Sequence, residues 1–114
     1  MKNANPETWQ IPPEWHQDFE PEISQELQAL REFAQAALKI SSDMSAQLDP
    51  FEPGYLKVDL FHKQVHLAEV YTNIEASDLV FSLFTSIQSE REEEFHFRTV
   101  DEGVDILKKA VSRT

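Results

Sequence analysis

The spacing of the hydrophobic residues changes once along the chain, near Tyr55. Before that point, apolar side chains recur every three or four residues, as on the buried side of a helix. These residues are Ile23, Leu27, Leu30, Ala34, Ala37 and Leu38. After it, Leu56, Val58 and Leu60 occupy alternate positions, as in a strand with one buried face. The chain is therefore predicted to fold as a helix followed by a sheet.

Prolines and turn residues set the limits of this first helix. Pro21 suits the first turn of a helix, where its missing N–H is no loss, so we expect the helix to begin there. Met44 and Leu48 remain near the same apolar stripe. We therefore expect the helix to continue past residue 40 or to kink at Ser41-Ser42, and to end at the turn-forming segment 49–54.

The remaining apolar segments predict the rest of the sheet. Residues 65–70 form a second strand or an extension of the first. Residues 79–87 are apolar on both faces, which favours a central position in the sheet. Residues 95–98 alternate again, and the polar segment 88–94 is predicted to be the hairpin loop between these two strands.

A second helix is predicted at the end of the sequence. Thr99 and Glu102 have capping-box spacing, and apolar residues recur at helical spacing from Val100 to Val111. Strands gathered between two helices indicate an α+β fold of order α-β-β-β(-β)-α. We expect a single-layer antiparallel meander of three or four strands, covered by a long N-terminal and a short C-terminal helix. Residues 21–114 would form this domain, and residues 1–20 an extended proline-rich arm packed on it.

The second face of the predicted sheet carries a separate set of apolar residues. They are Tyr55, Phe61, Tyr71, Val80 and Phe84. Such a face favours a covering partner, either the N-terminal arm or a second subunit. In the arm, Trp9, Ile11, Trp15 and Phe19 are expected to pack on the domain as a lid, while the alternative is an arm that itself acts as the ligand of a partner.

The common catalytic motifs are missing from the sequence. There is no cysteine, and the two glycines stand in no phosphate-binding loop. His62 and His66 are four residues apart, but on one strand they would lie about 13 Å from each other, too far to share a metal ion. The acidic residues offer no pair that spacing singles out as general acid and base. We therefore expect no enzyme activity, no cofactor and no metal site.

Charge is the strongest signal in the composition. The chain has 21 acidic and 10 basic residues and a formal net charge of -11. This charge repels nucleic acid and anionic membranes, and it speeds encounters with a basic protein. The absence of cysteine and of a signal-like apolar segment favours the cytoplasm.

Two acidic clusters are the candidate partner-binding sites. The first is the predicted hairpin, with Glu90, Glu92, Glu93 and Glu94. The second is the arm, with Glu14 and Asp18 beside the aromatic residues Trp15 and Phe19, and Tyr71 is a further possible anchor. Carboxylates around aromatic anchors are an effective way to bind a basic protein. The alternative for the hairpin is a solvated loop that protects a strand end from edge-to-edge pairing.

In composition and layout the chain is similar to bacterial immunity proteins, which block nuclease toxins, and to secretion chaperones. This similarity implies a non-catalytic acidic domain that occludes or escorts a basic protein partner. It carries no functional residues over to this sequence. The alternative is a homodimeric structural or adaptor domain, or a secretion-chaperone-like domain, that uses the apolar sheet face. A stable dimer in light scattering would favour that alternative, and a monomer the first hypothesis.

Overall fold

The computed structural model describes residues 5–10, 16–52, 55–75, 78–85 and 93–112. A short 3-10 turn is followed by one long helix, five strands and a second helix. They are the turn Pro6–Thr8, helix α1 (His16–Leu38), strands β1 (Met44–Glu52), β2 (Tyr55–His62), β3 (Val65–Glu75), β4 (Asp78–Thr85) and β5 (Glu93–Phe97), and helix α2 (Val100–Val111). The strands form one antiparallel sheet in the order β1-β2-β3-β4-β5. The predicted α+β meander is confirmed, but the sheet has five strands and not the three or four that were predicted.

Strand β1 replaces the predicted extension of the first helix. Helix α1 ends at Leu38, and Ala46 and Leu48 pair with Leu60 and Val58 of β2. The prediction was wrong because Met44 and Leu48 fit a helix at i, i+4 and also fit a strand, in which every second residue faces the core. Pro50 is compatible with β1 because this strand lies at the edge of the sheet, where a missing N–H is tolerated.

Helix α1 also begins earlier than the sequence indicates. It starts at His16 and not at Pro21, so the predicted extended conformation is wrong for residues 16–20. Proline is favoured in the first turn but can also lie inside a helix, at the cost of one backbone hydrogen bond, so its position does not fix where the helix begins. The predicted arm residues 11–15 lie outside the described residues.

The N-terminal segment before α1 is held by Arg31. The Arg31 guanidinium donates to the carbonyl oxygens of Pro6, at 3.0 Å, and of Trp9, at 2.7 Å. The Trp9 side chain is buried in the core. Residues near the start of the chain thus contribute to the same core as the helices and the sheet.

The core lies between the sheet and the two helices. Alternate strand residues face the helices, and Val58, Leu60, Val70 and Leu83 are fully buried there. Phe33 of α1 lies at the centre of an aromatic cluster, 5.6 Å from the ring of Phe81 and 5.7 Å from that of Phe97. Helix α2 closes the core from the side of β5, and its predicted capping box between Thr99 and Glu102 is present.

The turn between β2 and β3 has an unusual backbone for its residues. Lys63 and Gln64 connect the paired residues His62 and Val65, with φ angles of 54° and 69°. Two-residue hairpins with positive φ normally use Asn-Gly or Asp-Gly, because other side chains are strained there. Because Lys63 and Gln64 are not typical turn residues, no clear turn signal is present in the sequence at this position.

Replacing Gln64 with glycine is expected to stabilise the protein by about 1 kcal/mol, because glycine adopts positive φ without strain. The measurement is urea unfolding followed by circular dichroism. Gln47→Gly is the matched control: Gln47 lies within β1, where glycine should destabilise by about 0.5–1 kcal/mol. A loss of stability in Gln64→Gly would contradict the described turn.

Candidate functional site

The outer face of the sheet is the candidate site. Among the described elements, both helices contribute to the core on the inner face, so the residues that alternate with the core positions face outward. The register places all five predicted outer-face residues on this side. Tyr55 is exposed, whereas Phe61, Tyr71, Val80 and Phe84 are half-buried. Neighbouring side chains therefore partly cover four of the five apolar residues.

A shallow depression lies near the middle of this face. It has a volume of about 480 Å³ and is lined by Glu69, Tyr71, Ser82 and Phe84. The rings of Tyr71 and Phe84 meet edge to face, with centroids 5.6 Å apart. The Tyr71 hydroxyl donates to a carboxylate oxygen of Glu69 at 2.8 Å. An aromatic pair thus adjoins a fixed negative charge.

Lys57 links the depression to further carboxylates. Its Nζ atom lies 3.3 Å from Glu69, 3.7 Å from Asp59 and 3.8 Å from Asp49. It also lies 6.0 Å from the centre of the Tyr71 ring, which is the outer limit of a cation–π contact. The outer face therefore already holds one cation between carboxylates and an aromatic ring.

The charges of this group are mutually stabilised. Partial burial disfavours the charged form of Lys57, but the carboxylates of Asp59, Glu69 and Asp49 outweigh it and raise the pKa of Lys57. Partial burial acts to raise the pKa of Glu69, but the hydrogen bonds from Tyr71 and Lys57 outweigh it and lower that pKa. Both groups are consequently charged at neutral pH.

The two histidines of the HKQVH segment do not converge. His62 is buried, while the side chain of His66 lies on the outer face, where its Nε2 is 3.1 Å from Asp59 Oδ1. A third histidine, His96, lies on the same face in β5. Its Nε2 is 2.7 Å from Glu94, and its Nδ1 is 3.1 Å from the Ser82 hydroxyl.

The structure brings together only some of the predicted partner-binding residues. Glu14, Trp15, Glu90 and Glu92 lie outside the described residues. Asp18 and Phe19 belong to the beginning of α1, in a part whose side chains are not described.

Glu93 and Glu94 are the first residues of β5, so assigning them to the hairpin loop was wrong. The loop was predicted too long because charged residues are weak strand formers, yet backbone pairing with β4 extends the strand into them. Glu94 faces Phe84 across the strands on the outer face, and Phe84 contacts Tyr71. Glu93 pairs with Thr85 on the opposite face.

The charged and hydroxyl residues at the centre of the outer face were not selected from the sequence as site residues. Lys57 and Asp59 were recognised only as the polar positions of a strand, and Glu69 and Ser82 lie on two further strands. The alternation of polar and apolar residues in β2 did indicate that Lys57 and Asp59 face outward. Their neighbours on β3 could not be predicted, because the pairing of β2 with β3 depends on a turn without glycine and on a register shift after Leu60.

Comparison of the chain with protein-family models, with curated proteins and with solved structures finds no match in any of the three. The part of the chain that the structure describes contains no helix that is long and apolar enough to cross a membrane. The fold and the site therefore define this protein only as an α+β domain with an open, charged and aromatic sheet face.

Proposed function

We propose that this protein is a non-catalytic binding domain that occludes or escorts a basic protein partner through the outer face of its sheet. The observation that carries the proposal is the depression in which the Tyr71–Phe84 pair adjoins the Glu69 carboxylate. An Arg or Lys side chain of the partner would lie against the rings and pair with the carboxylate.

Two further features support a cationic partner. Lys57 shows that a cation is accommodated between Glu69, Asp59 and the Tyr71 ring, since it occupies this position within the chain itself. The net charge of -11 attracts basic proteins over distances longer than a contact. The proposed mechanism is steric and electrostatic occlusion, of the immunity-protein or inhibitor type. We propose that the protein acts in the cytoplasm, since its sequence contains no cysteine.

The proposal is tested by quantitative capture from a lysate of the source organism, with three forms of the protein as bait. The outer-face variant combines Asp49→Asn with Glu69→Gln. The control variant combines Asp101→Asn with Asp105→Asn, which are exposed on α2. Both variants remove two negative charges, so they change the net charge of the protein equally but on different faces.

A basic protein should be retained by the wild type and by the α2 variant and lost from the outer-face variant. Its retention should fall steeply as salt rises, because exposed charges are screened. Tyr71→Ala should weaken the same binding at least about tenfold, as expected for a central aromatic anchor. Equal loss from both charge variants would contradict the outer face as the site, and salt-insensitive retention would contradict the electrostatic mechanism.

The homodimer remains the alternative function. It would use the half-buried aromatic residues of the same face to bind a second copy. Light scattering that shows a concentration-dependent dimer in the wild type, but a monomer in Tyr71→Ala, would favour it.

A further inference from the structure

Three metal-binding side chains converge beside Lys57. Asp59 of β2 and His66 and Glu69 of β3 each offer one donor atom, and these atoms all lie within 4.8 Å of one another. Asp59 and Glu69 are direct cross-strand neighbours. His66 Nε2 is already 3.1 Å from Asp59 Oδ1.

This convergence depends on an irregularity in the sheet. His66 and Glu69 are three residues apart, and on a regular strand two such side chains point to opposite faces. The register shifts between the Leu60–Ala68 pair and the Phe61–His66 pair, so Leu67 is an extra residue in β3. Leu67 and Ala68 are consequently both buried, and His66 shares the outer face with Glu69. Bulges commonly re-aim a side chain in this way at functional sites.

The nature of the three ligands points to a class of metal. An imidazole nitrogen with two carboxylate oxygens is a ligand set of Zn²⁺ and neighbouring transition metals. Ca²⁺ needs six to eight oxygen ligands, and two carboxylates with an imidazole do not supply them. Solvent has access to the group, because the His66 side chain is 38% exposed and that of Glu69 30%.

The ammonium group of Lys57 competes with a metal ion for the Asp59 and Glu69 carboxylates. Its Nζ atom is 3.7 Å from the Asp59 carboxylate and 3.3 Å from that of Glu69. The ammonium neutralises only one of the three carboxylates around it, because Asp49 is also within 3.8 Å. The remaining negative charge favours a divalent ion, which binds if the flexible lysine side chain moves aside.

We propose that Asp59, His66 and Glu69 form a binding site for a divalent transition-metal ion such as Zn²⁺ on the outer face of the sheet. The site shares Glu69 with the proposed partner-binding depression. Its test needs only the purified chain and a metal salt, so the two proposals can fail separately. The site also differs from the HKQVH pair considered in the sequence, since His62 does not take part.

The test is calorimetric titration with ZnCl₂ of the wild type and three single variants, each checked for folding by circular dichroism. The wild type should bind one ion. His66→Ala should weaken this binding by at least about tenfold, since even the outer-shell partners of metal ligands contribute that much. His96→Ala is the matched control. His96 also pairs with a carboxylate on the outer face, but the described residues bring no third ligand to this pair, so its removal should leave the affinity unchanged.

Lys57→Met gives the most specific result. Removal of one positive charge a few ångströms from a divalent ion should tighten Zn²⁺ binding roughly tenfold. If Asp59, His66 and Glu69 only stabilise the fold, Lys57→Met should not tighten Zn²⁺ binding. The proposal is overturned if the wild type binds no Zn²⁺, if His96→Ala loses binding as His66→Ala does, if Lys57→Met does not tighten it, or if Ca²⁺ binds as tightly as Zn²⁺.

Discussion

Phe33→Ala is expected to reduce the free energy of unfolding by about 3–5 kcal/mol, the range for removal of a buried phenylalanine. Phe33 is fully buried and contacts the rings of Phe81 and Phe97, which themselves stack at 5.2 Å. It therefore joins α1 to β4 and β5. Because domains of this size are stable by roughly 5–15 kcal/mol, this single change should remove a large fraction of the total.

The measurement is urea unfolding monitored by circular dichroism and by tryptophan fluorescence. Phe33→Leu is the matched control, since it keeps most of the apolar volume and should cost roughly 1–1.5 kcal/mol. A loss below about 1 kcal/mol in Phe33→Ala would contradict the central position of this ring, because cavities in close-packed cores are costly.

Gly103→Ala is expected to destabilise the protein by about 1–2 kcal/mol, although alanine is normally better than glycine in a helix by about 1 kcal/mol. A Cβ atom on Gly103 would lie 2.4 Å from two ring carbons of Phe97 and 2.5 Å from a ring carbon of Phe33. Because these approaches are far closer than ordinary contacts, the overpacking cost should lie in the upper part of the usual range of about 1–3 kcal/mol and exceed the gain in helix propensity.

A double-mutant cycle with Phe97→Leu tests the cause of this effect. The smaller side chain makes room for the added methyl group, so Gly103→Ala should cost much less in that background. Asp105→Ala, at an exposed position of α2, controls for helix propensity and should stabilise slightly. A stabilising Gly103→Ala would contradict the close approach of α2 to the aromatic cluster.

Local signals in the sequence predicted the elements that depend on local interactions. The Thr99–Glu102 capping box is confirmed, because both of its partners lie within one helical turn. The alternation of Leu56, Val58 and Leu60 is confirmed for the same kind of reason, since all three face the core from one strand.

The predictions failed where the outcome depends on distant residues. Met44 and Leu48 fit two periodicities, and only the pairing of β1 with β2 decides between them. The Lys63-Gln64 turn is strained and is formed because the strands on both sides of it pair. Such a turn carries no recognisable signal of its own.

The candidate site could not be assembled from the sequence for a related reason. Asp59, His66 and Glu69 come together through the register of two strands and one extra residue, Leu67. A shift of one residue would move a whole strand's side chains to the other face. Tyr71 was selected for its aromatic ring, whereas its contacts with Glu69 and Phe84 became visible only in the fold.

The outer face as the partner-binding surface is tested most directly by labelling histidines with diethyl pyrocarbonate, in the free protein and in the captured complex. His66 and His96 lie on the outer face with side chains 38% and 57% exposed, whereas Lys108 and Lys109, which the same reagent modifies, are exposed on α2. In the complex, labelling of both histidines should fall while that of both lysines stays unchanged. Unchanged labelling of His66 and His96, with protection of Lys108 and Lys109, would place the partner on the helices and contradict the proposed function.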